Sequence, residues 1–340
     1  MADPHTYPGD GPRLRRMAAV EKYQSVLVAA AVLGGLALGQ VSGVPPVADA
    51  LLLPFLMVML FASFTGVPLS RLRTAFGNRR VLGSSLLVNF VWSPLLAVGL
   101  GAVFLRDQPA LWVGLIMLLV TPCTDWYLIF TDIAGGDVPL ATSLLPYNLV
   151  LQLLLLPVYL YVFAGALVEL PVRLLAESVV LVLVVPLTLG GATRWGLIRW
   201  RSRRWFDRRF LPTLGPIQIV ALSLAIGAMF ASQGGVVVEN PRLLALMAVP
   251  VIAFYAINLG VGVAVGRALD FSYGEFVCFN NTILSRYSPT ALAIAVVAFP
   301  NEPLVPLALV SGPRLELPLL GVVAQLHAAI SERGWWAGAR

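Results

Sequence analysis

Charge is scarce in this sequence. Asp, Glu, Lys and Arg make up 12% of its 340 residues, about half the share of an ordinary soluble domain, which excludes one before any motif is read. Cysteine and histidine are scarcer still, at two each. Cys123 and Cys278 suggest no disulfide framework and leave the redox compartment unread. His5 and His327 lie near opposite chain ends, so no His-Glu-x-x-His or paired-histidine motif exists, and there is no Gly-x-Ser-x-Gly elbow. An enzyme, a resident metal and a cofactor are therefore not expected.

Apolar residues are abundant, at 59%. Runs of about 20 residues, enough to cross a hydrocarbon core of roughly 30 Å, begin near Tyr23, Val47, Val81, Ala110, Val138, Arg173, Leu211, Leu243, Tyr273 and Pro303. They predict an all-α polytopic membrane protein of ten transmembrane helices. The polar tail ahead of the first run carries Arg13, Arg15 and Arg16 and no small-residue cleavage site, so it is expected to be retained. With the tail inside, 18 of the 23 Lys and Arg fall in cytoplasmic segments and only Arg106, Arg173 and Arg242 fall outside. The positive-inside rule then places both termini in the cytoplasm, in a multi-pass protein of the plasma (inner) membrane. Arg199, Arg201, Arg203, Arg204, Arg208 and Arg209 form the largest basic cluster. On that side they meet anionic headgroups, so the net charge of +6 points to the lipid bilayer and to no nucleic acid.

The chain also repeats itself. At an offset of 167 residues Pro45 falls on Pro212, Pro122 on Pro289, Pro139 on Pro306 and Pro146 on Pro313, and Val138-Pro139-Leu140-Ala141 recurs as Val305-Pro306-Leu307-Ala308. The expected organisation is a cytoplasmic tail over 1–20, a five-helix repeat over 21–166, a second over 167–332, and a tail over 333–340. Five spans is an odd number, so the second copy must insert upside down. Spans four and nine are then equivalent and antiparallel.

Both are expected to be broken at mid-membrane, at Thr121-Pro122-Cys123-Thr124-Asp125 and at Ser288-Pro289-Thr290. A hydroxyl residue before proline suits a helix start, because the hydroxyl caps free N–H groups and proline fits the first turn. A helix start inside a bilayer is tolerated only where its backbone lines a protein-walled or watery cavity, and this is how transporters build midplane sites. Two half-helix N-termini would face that site, each with a partial positive charge.

Ionisable residues within spans are costly, at something like 2.5–3.5 kcal/mol each, and usually have a partner or a function. They are Asp125, just after the first break; Arg286, three residues before the second proline; and Arg314 with Glu316 in the last span. Asp125 with Arg286, or Arg314 and Glu316 with other partners, can equally be structural ion pairs. Cys123, as the second residue of a capped half-helix, has a thiolate favoured by the helix dipole and opposed by desolvation and Asp125. Such a thiolate suits a thiophilic solute. Cys278, three turns from the second break, reads as packing. Asn148 and Gln152 share one face of span five, and Asn280 and Asn281 precede the second break. Their carbonyls can hold Na⁺ or join helices.

With those residues in view, the chain resembles the superfamily uniting bile-acid/sodium symporters with arsenical-resistance permeases, and it is closer to the permeases. The resemblance lies in Thr121-Pro122-Cys123-Thr124, Leu292-Ala293-Ile294-Ala295-Val296 and Gly312-Pro313-Arg314-Leu315-Glu316-Leu317-Pro318. It implies a functional cysteine at Cys123 and a functional glutamate at Glu316. It also implies export of arsenite, or of antimonite or a related oxyanion, by proton antiport with alternating access. In that reading Cys123, Thr121, Thr124, Arg286 and Ser288 bind substrate, while Glu316, Asp125 and Asn148 handle the coupling ion. The permeases carry an Asn-Phe-Glu-like segment where this chain has Ser288-Pro289-Thr290-Ala291, so one expected acid is missing beside Arg286. The alternative is a Na⁺- or H⁺-coupled symporter of an organic anion. The Glu and Gln implied for a sodium site on span nine are absent here; Glu275 lies too far towards the cytoplasmic end.

Overall fold

Prolines and glycines decide where the long helices of this protein bend and touch. The computed structural model describes residues 27, 29–66, 78–123, 126–165, 167, 172–239, 241–286 and 288–336. The tail over 1–20, Arg71, Arg73, Thr124 and Asp125 lie outside them, as do the side chains of Ser288 and Arg314. Among the described residues the fold is helical, without strands.

In chain order the helices are α1 (Ala29–Leu38), α2 (Val44–Gly66), α3 (Arg79–Phe104), α4 (Pro109–Leu119), α5 (Trp126–Ile133) and α6 (Val138–Ala164). There follow α7 (172–200), α8 (Leu211–Glu239), α9 (Pro241–Ala268), α10 (Tyr273–Leu284), α11 (Ser288–Ala298) and α12 (Leu304–Glu332). Six stretches are long and apolar enough to cross a membrane: α2, α3, α6, Ala176–Trp200 of α7, Arg203–Ser232 leading into α8, and Ala245–Ala268 of α9. Shorter apolar helices include α1, α4 and Pro289–Ala298 of α11. Large apolar side chains such as Leu33, Val103 and Leu154 stand exposed, as a lipid-facing surface requires and a soluble one avoids.

The chain divides into two compact units, each drawn from both halves of the sequence. The first is Met1–Gly66 with Pro186–Val238. Here α1 meets α8 through small residues: a Cβ on Gly35 would lie 2.3 Å from the Gly227 carbonyl oxygen, and one on Gly39 would lie 2.6 Å from that of Ala231. Arg194 donates to the Thr65 carbonyl at 3.1 Å and stands over the Phe206 ring.

The second unit is Val67–Val185 with Glu239–Arg340, and it holds every interrupted or functional segment singled out above. Its α4 and α12 pack closely, with Gly114 placed so that a Cβ would fall 2.5 Å from that of Ala308. In α3, Val88–Trp92 widens into a π turn just before Ser93-Pro94. Pro94 has no N–H to give the Phe90 carbonyl four residues back, and Tyr159 of α6 donates its hydroxyl to that carbonyl at 2.5 Å instead.

Three helix starts gather at one end of this unit. Asn78 caps α3, accepting from the Val81 N–H at 3.2 Å, and its amide also donates to Glu275. Glu275 closes a capping box with Ser272 at the start of α10. Asp137 caps α6, and its own N–H donates to the Gly274 carbonyl at 3.0 Å. The starts of α4 and α12 instead line a cavity of about 640 Å³ with Gln108, Asn301 and Glu302.

Candidate functional site

The chain leaves helix at both expected places, and the two interruptions meet. After α4 ends at Leu119, Pro122 pairs as an isolated antiparallel bridge with Arg286, which follows the end of α10 at Leu284. The Cys123 N–H donates to the Ser285 carbonyl at 3.0 Å. Two extended backbone segments thus cross inside a helical unit, and each satisfies part of what the other's broken helix leaves open.

The first break differs from its sequence expectation in detail. The Thr121 hydroxyl donates back to the Met117 and Leu118 carbonyls, both at 3.1 Å, and so finishes α4. Cys123 itself lies outside helix, and among the described residues α5 runs from Trp126. The cap is the thiol itself, whose sulfur accepts the Trp126 N–H at 3.3 Å. Cys123 is buried at 1% exposure, held between the bridge and the start of α5.

The second break is held from a distance. The N–H of Arg286 donates to Oε1 of Glu316 on α12 at 2.7 Å. The Glu316 carboxylate, expected to serve proton coupling, is therefore also the acceptor for this break. The Arg286 side chain turns elsewhere. Its Nη2 donates to Oδ1 of Asn89 at 3.1 Å, to Oγ of Ser93 at 3.4 Å and to the Ile283 carbonyl, and its guanidinium lies 4.9 Å from the centre of the Phe254 ring. Among the described residues Nε and Nη1 have no hydrogen-bond partner, although Arg286 is only 2% exposed. Among the described residues no carboxylate reaches ion-pair distance of it; the pairs found there are Arg173–Glu177 and Arg203–Asp207. Whether Asp125 joins the cluster lies outside the described residues.

Several participants were invisible to sequence reading. Tyr255 on α9 lies close enough to Glu316, Arg286 and Cys123 to interact electrostatically with all three, and among the described residues its buried hydroxyl has no partner. Phe254 beside it covers Arg286. Asn258, one turn on, accepts from Trp92 Nε1 at 3.1 Å and keeps an unpartnered amide nitrogen. Asn89, Ser93 and Asn258 could have been flagged as polar residues within apolar runs, but Phe254 and Tyr255 carried no signal.

Asn148 and Gln152 are buried on α6, and among the described residues all four of their amide atoms lack partners. Asn281 donates to Thr131 Oγ1 at 3.3 Å, while Asn280 packs against α9, where a Cβ on Gly262 would lie 2.3 Å from its amide nitrogen. Cys278 is buried in the packing of α10. No cluster of three or more His, Cys, Asp or Glu able to hold a metal occurs among the described residues. The cavity at the starts of α4 and α12 stands away from the crossing by the length of α4, 11 residues or roughly 16 Å of helix.

Residues 53–240, more than half of the chain, match the sodium bile acid symporter family. The chain belongs to that family. Among its relatives, the arsenical-resistance protein Acr3 of Corynebacterium glutamicum is 25% identical over 325 residues, covering 90% of this chain and 88% of that one. Acr3 of Alkaliphilus metalliredigens is 25% identical over 330 residues, covering 88% and 90%. An uncharacterized transporter of Synechocystis is 26% identical over 337 residues, covering 90% and 88%. A family of symporters, relatives named for transport and arsenical resistance, and six apolar helices of spanning length together make this a multi-pass membrane transporter.

Proposed function

We propose that the protein is a secondary transporter that exports arsenite, or antimonite or a related oxyanion, from the cell in exchange for protons. The observation that carries this reading is the crossing of the two interrupted helices at Pro122 and Arg286, with Cys123, Arg286 and Glu316 buried around it. A thiol there suits a thiophilic solute, and relatives along nearly the whole chain are named for arsenical resistance.

In this reading Cys123 handles the metalloid, with Thr124, Ser288 and Arg286 lining its path and Thr121 shaping the break. Glu316 or Asp125 takes up and releases the proton. Asn148, with four unpartnered amide atoms shared with Gln152, stands ready for a coupling ion. The chain makes ten spans in two inverted five-helix repeats, with the breaks at mid-bilayer and both termini in the cytoplasm of the plasma (inner) membrane. Support comes from three features: each compact unit draws on both halves of the chain, the starts of α3, α6 and α10 gather at one end, and those of α4 and α12 share a cavity. Alternating access then rocks one group of helices against the spans that carry the breaks.

The test is arsenite accumulation in cells lacking arsenite export. Cells expressing the protein are expected to accumulate less than empty-vector cells; equal accumulation would sink the arsenite reading. Varying Na⁺ at fixed pH, then pH at fixed Na⁺, assigns the coupling ion, with dependence on pH expected. The unpartnered nitrogens of Arg286 favour a second reading, symport of an organic anion. Sodium-dependent uptake of a carboxylate would establish it.

A further inference from the structure

The end of α10 at Leu284 is a negative pole inside an apolar unit. Its last carbonyls have no partner further along the helix, and the partial charge there attracts a cation. Transporters with interrupted helices commonly place a coupling sodium ion at such an end, held by open carbonyls and neighbouring oxygens. In this chain a side chain fills that kind of place. Arg286, two residues past the helix, folds back so that Nη2 donates to the Ile283 carbonyl. The same nitrogen donates to Oδ1 of Asn89 at 3.1 Å and to Oγ of Ser93 at 3.4 Å, both on α3. Asn89 is held in this sense because its amide nitrogen donates to the Thr282 carbonyl at 3.5 Å. One helix-end carbonyl, one amide oxygen and one hydroxyl thus surround a single cationic nitrogen. Glu316, which accepts the Arg286 N–H at 2.7 Å, also interacts electrostatically with the guanidinium and supplies the nearby anion. The face of Phe254, 4.9 Å away, favours a cation as well.

We infer that Arg286 is a tethered cation standing where a coupling sodium ion would otherwise sit at the crossing, and that it frees the transporter from sodium. This rests on the transporter reading and deepens it, by assigning the residue that decides which ion is coupled. It holds for a neutral cargo and an anionic one alike. A sodium ion binds and leaves in each cycle and so carries its gradient into the work. An arginine head cannot leave, so it supplies the positive charge at the helix end without drawing on a gradient. Guanidinium suits the task because it is more weakly hydrated than ammonium and is the usual choice for buried pairs. A basic residue just past a helix often bonds the last carbonyls for purely structural reasons. That accounts for the Ile283 contact, but not for the two oxygens that α3 adds from a different part of the chain.

The experiment melts the purified full-length protein in sodium chloride and in choline chloride of equal ionic strength. The parent is expected to unfold at the same temperature in both. Arg286→Ala leaves the three oxygens facing an empty volume, and its midpoint should rise by about 2 °C or more in sodium, as one ion binding only the folded state would produce. Guanidinium ion at low millimolar concentration should give the same rescue. Arg286→Lys keeps a tethered cation and should be as indifferent to sodium as the parent. Adding Asn89→Ala to Arg286→Ala should abolish the sodium response, because it removes one of the oxygens. A parent that is stabilised by sodium, an alanine variant that is not, or a sodium response that survives the loss of Asn89 would overturn the proposal. If Arg286→Ala fails to fold, the parent and the lysine variant decide: indifference of both to sodium upholds the proposal, and a response in either overturns it. Arsenite takes no part in these melts, so absence of arsenite export in cells would strike the cargo reading and leave the tethered cation standing.

Discussion

At the first break the chain closes its helix ends locally, whereas at the second it relies on a side chain 30 residues away. Thr121 bonds back to the last turn of α4 and the Cys123 thiol caps α5, all within ten residues. Arg286 instead hands its N–H to Glu316 on α12. The chemistry differs in the same way: the first break carries a soft sulfur, and the second carries a guanidinium whose Nη2 donates to three oxygens. At the 167-residue offset Cys123 falls on Thr290 and Arg286 on Leu119, so neither the thiol nor the cation has a like counterpart in the other copy. The Glu316 carboxylate closes the second break, so in the proposed mechanism a change in its protonation would reach the backbone there and not at the first break.

Variants that disturb each break separately can test that asymmetry. Glu316→Ala should have the largest effect. It leaves the buried Arg286 N–H without an acceptor, lowers unfolding stability in detergent by about 2–3 kcal/mol and abolishes export. Glu316→Gln keeps an acceptor oxygen without a titratable proton, so stability should recover most of the way while pH-driven export does not. Equal stability of the alanine and parent proteins would show that the second break does not depend on α12. Gly114→Ala should cost about 1–3 kcal/mol, because its Cβ would lie 2.5 Å from that of Ala308 and 2.9 Å from the Val305 carbonyl oxygen. A thermal melt that does not move would place α4 and α12 further apart than described.

Tyr159→Phe withdraws the hydroxyl from the Phe90 carbonyl, which Pro94 cannot serve, and should cost about 1 kcal/mol. The π turn that presents Asn89 and Ser93 to Arg286 then loosens, and urea or thermal unfolding would reveal the loss. Cys123→Ser should have the smallest effect on stability, within about 0.5 kcal/mol, since a serine hydroxyl is itself a good cap. The same variant should raise arsenite accumulation to the empty-vector level. A serine variant that exports as well as the parent would take the thiol out of the mechanism and make the two breaks more alike than proposed.

Much of this arrangement was legible in the chain. Pro122 and Ser288-Pro289 marked both interruptions, because proline and hydroxyl residues have few other uses inside apolar runs, and Glu316 stood out as an acid between two prolines. The roles of the same residues were less legible. Thr121 was expected to cap the next helix, but a threonine hydroxyl can equally reach the carbonyls three and four residues back, and here it does. The Trp126 N–H of α5 is accepted by a cysteine sulfur, a residue type seldom considered for a helix cap. The contact between Glu316 and the Arg286 backbone, the cover of Phe254 and the approach of Tyr255 all arise from packing of α9 and α12 around the crossing. No local spacing encodes them. The π turn before Pro94 is similarly a compromise between a missing N–H and the position of α6.

The central claim is that a thiophilic cargo meets the thiol at the crossing of the two breaks. Arsenic-edge X-ray absorption on the purified protein loaded with arsenite tests it most directly. A sulfur neighbour to arsenic that disappears in Cys123→Ser and persists in Cys278→Ser is the expected result. Arsenic surrounded by oxygen alone in the parent protein, or a sulfur signal unchanged in Cys123→Ser, would contradict it.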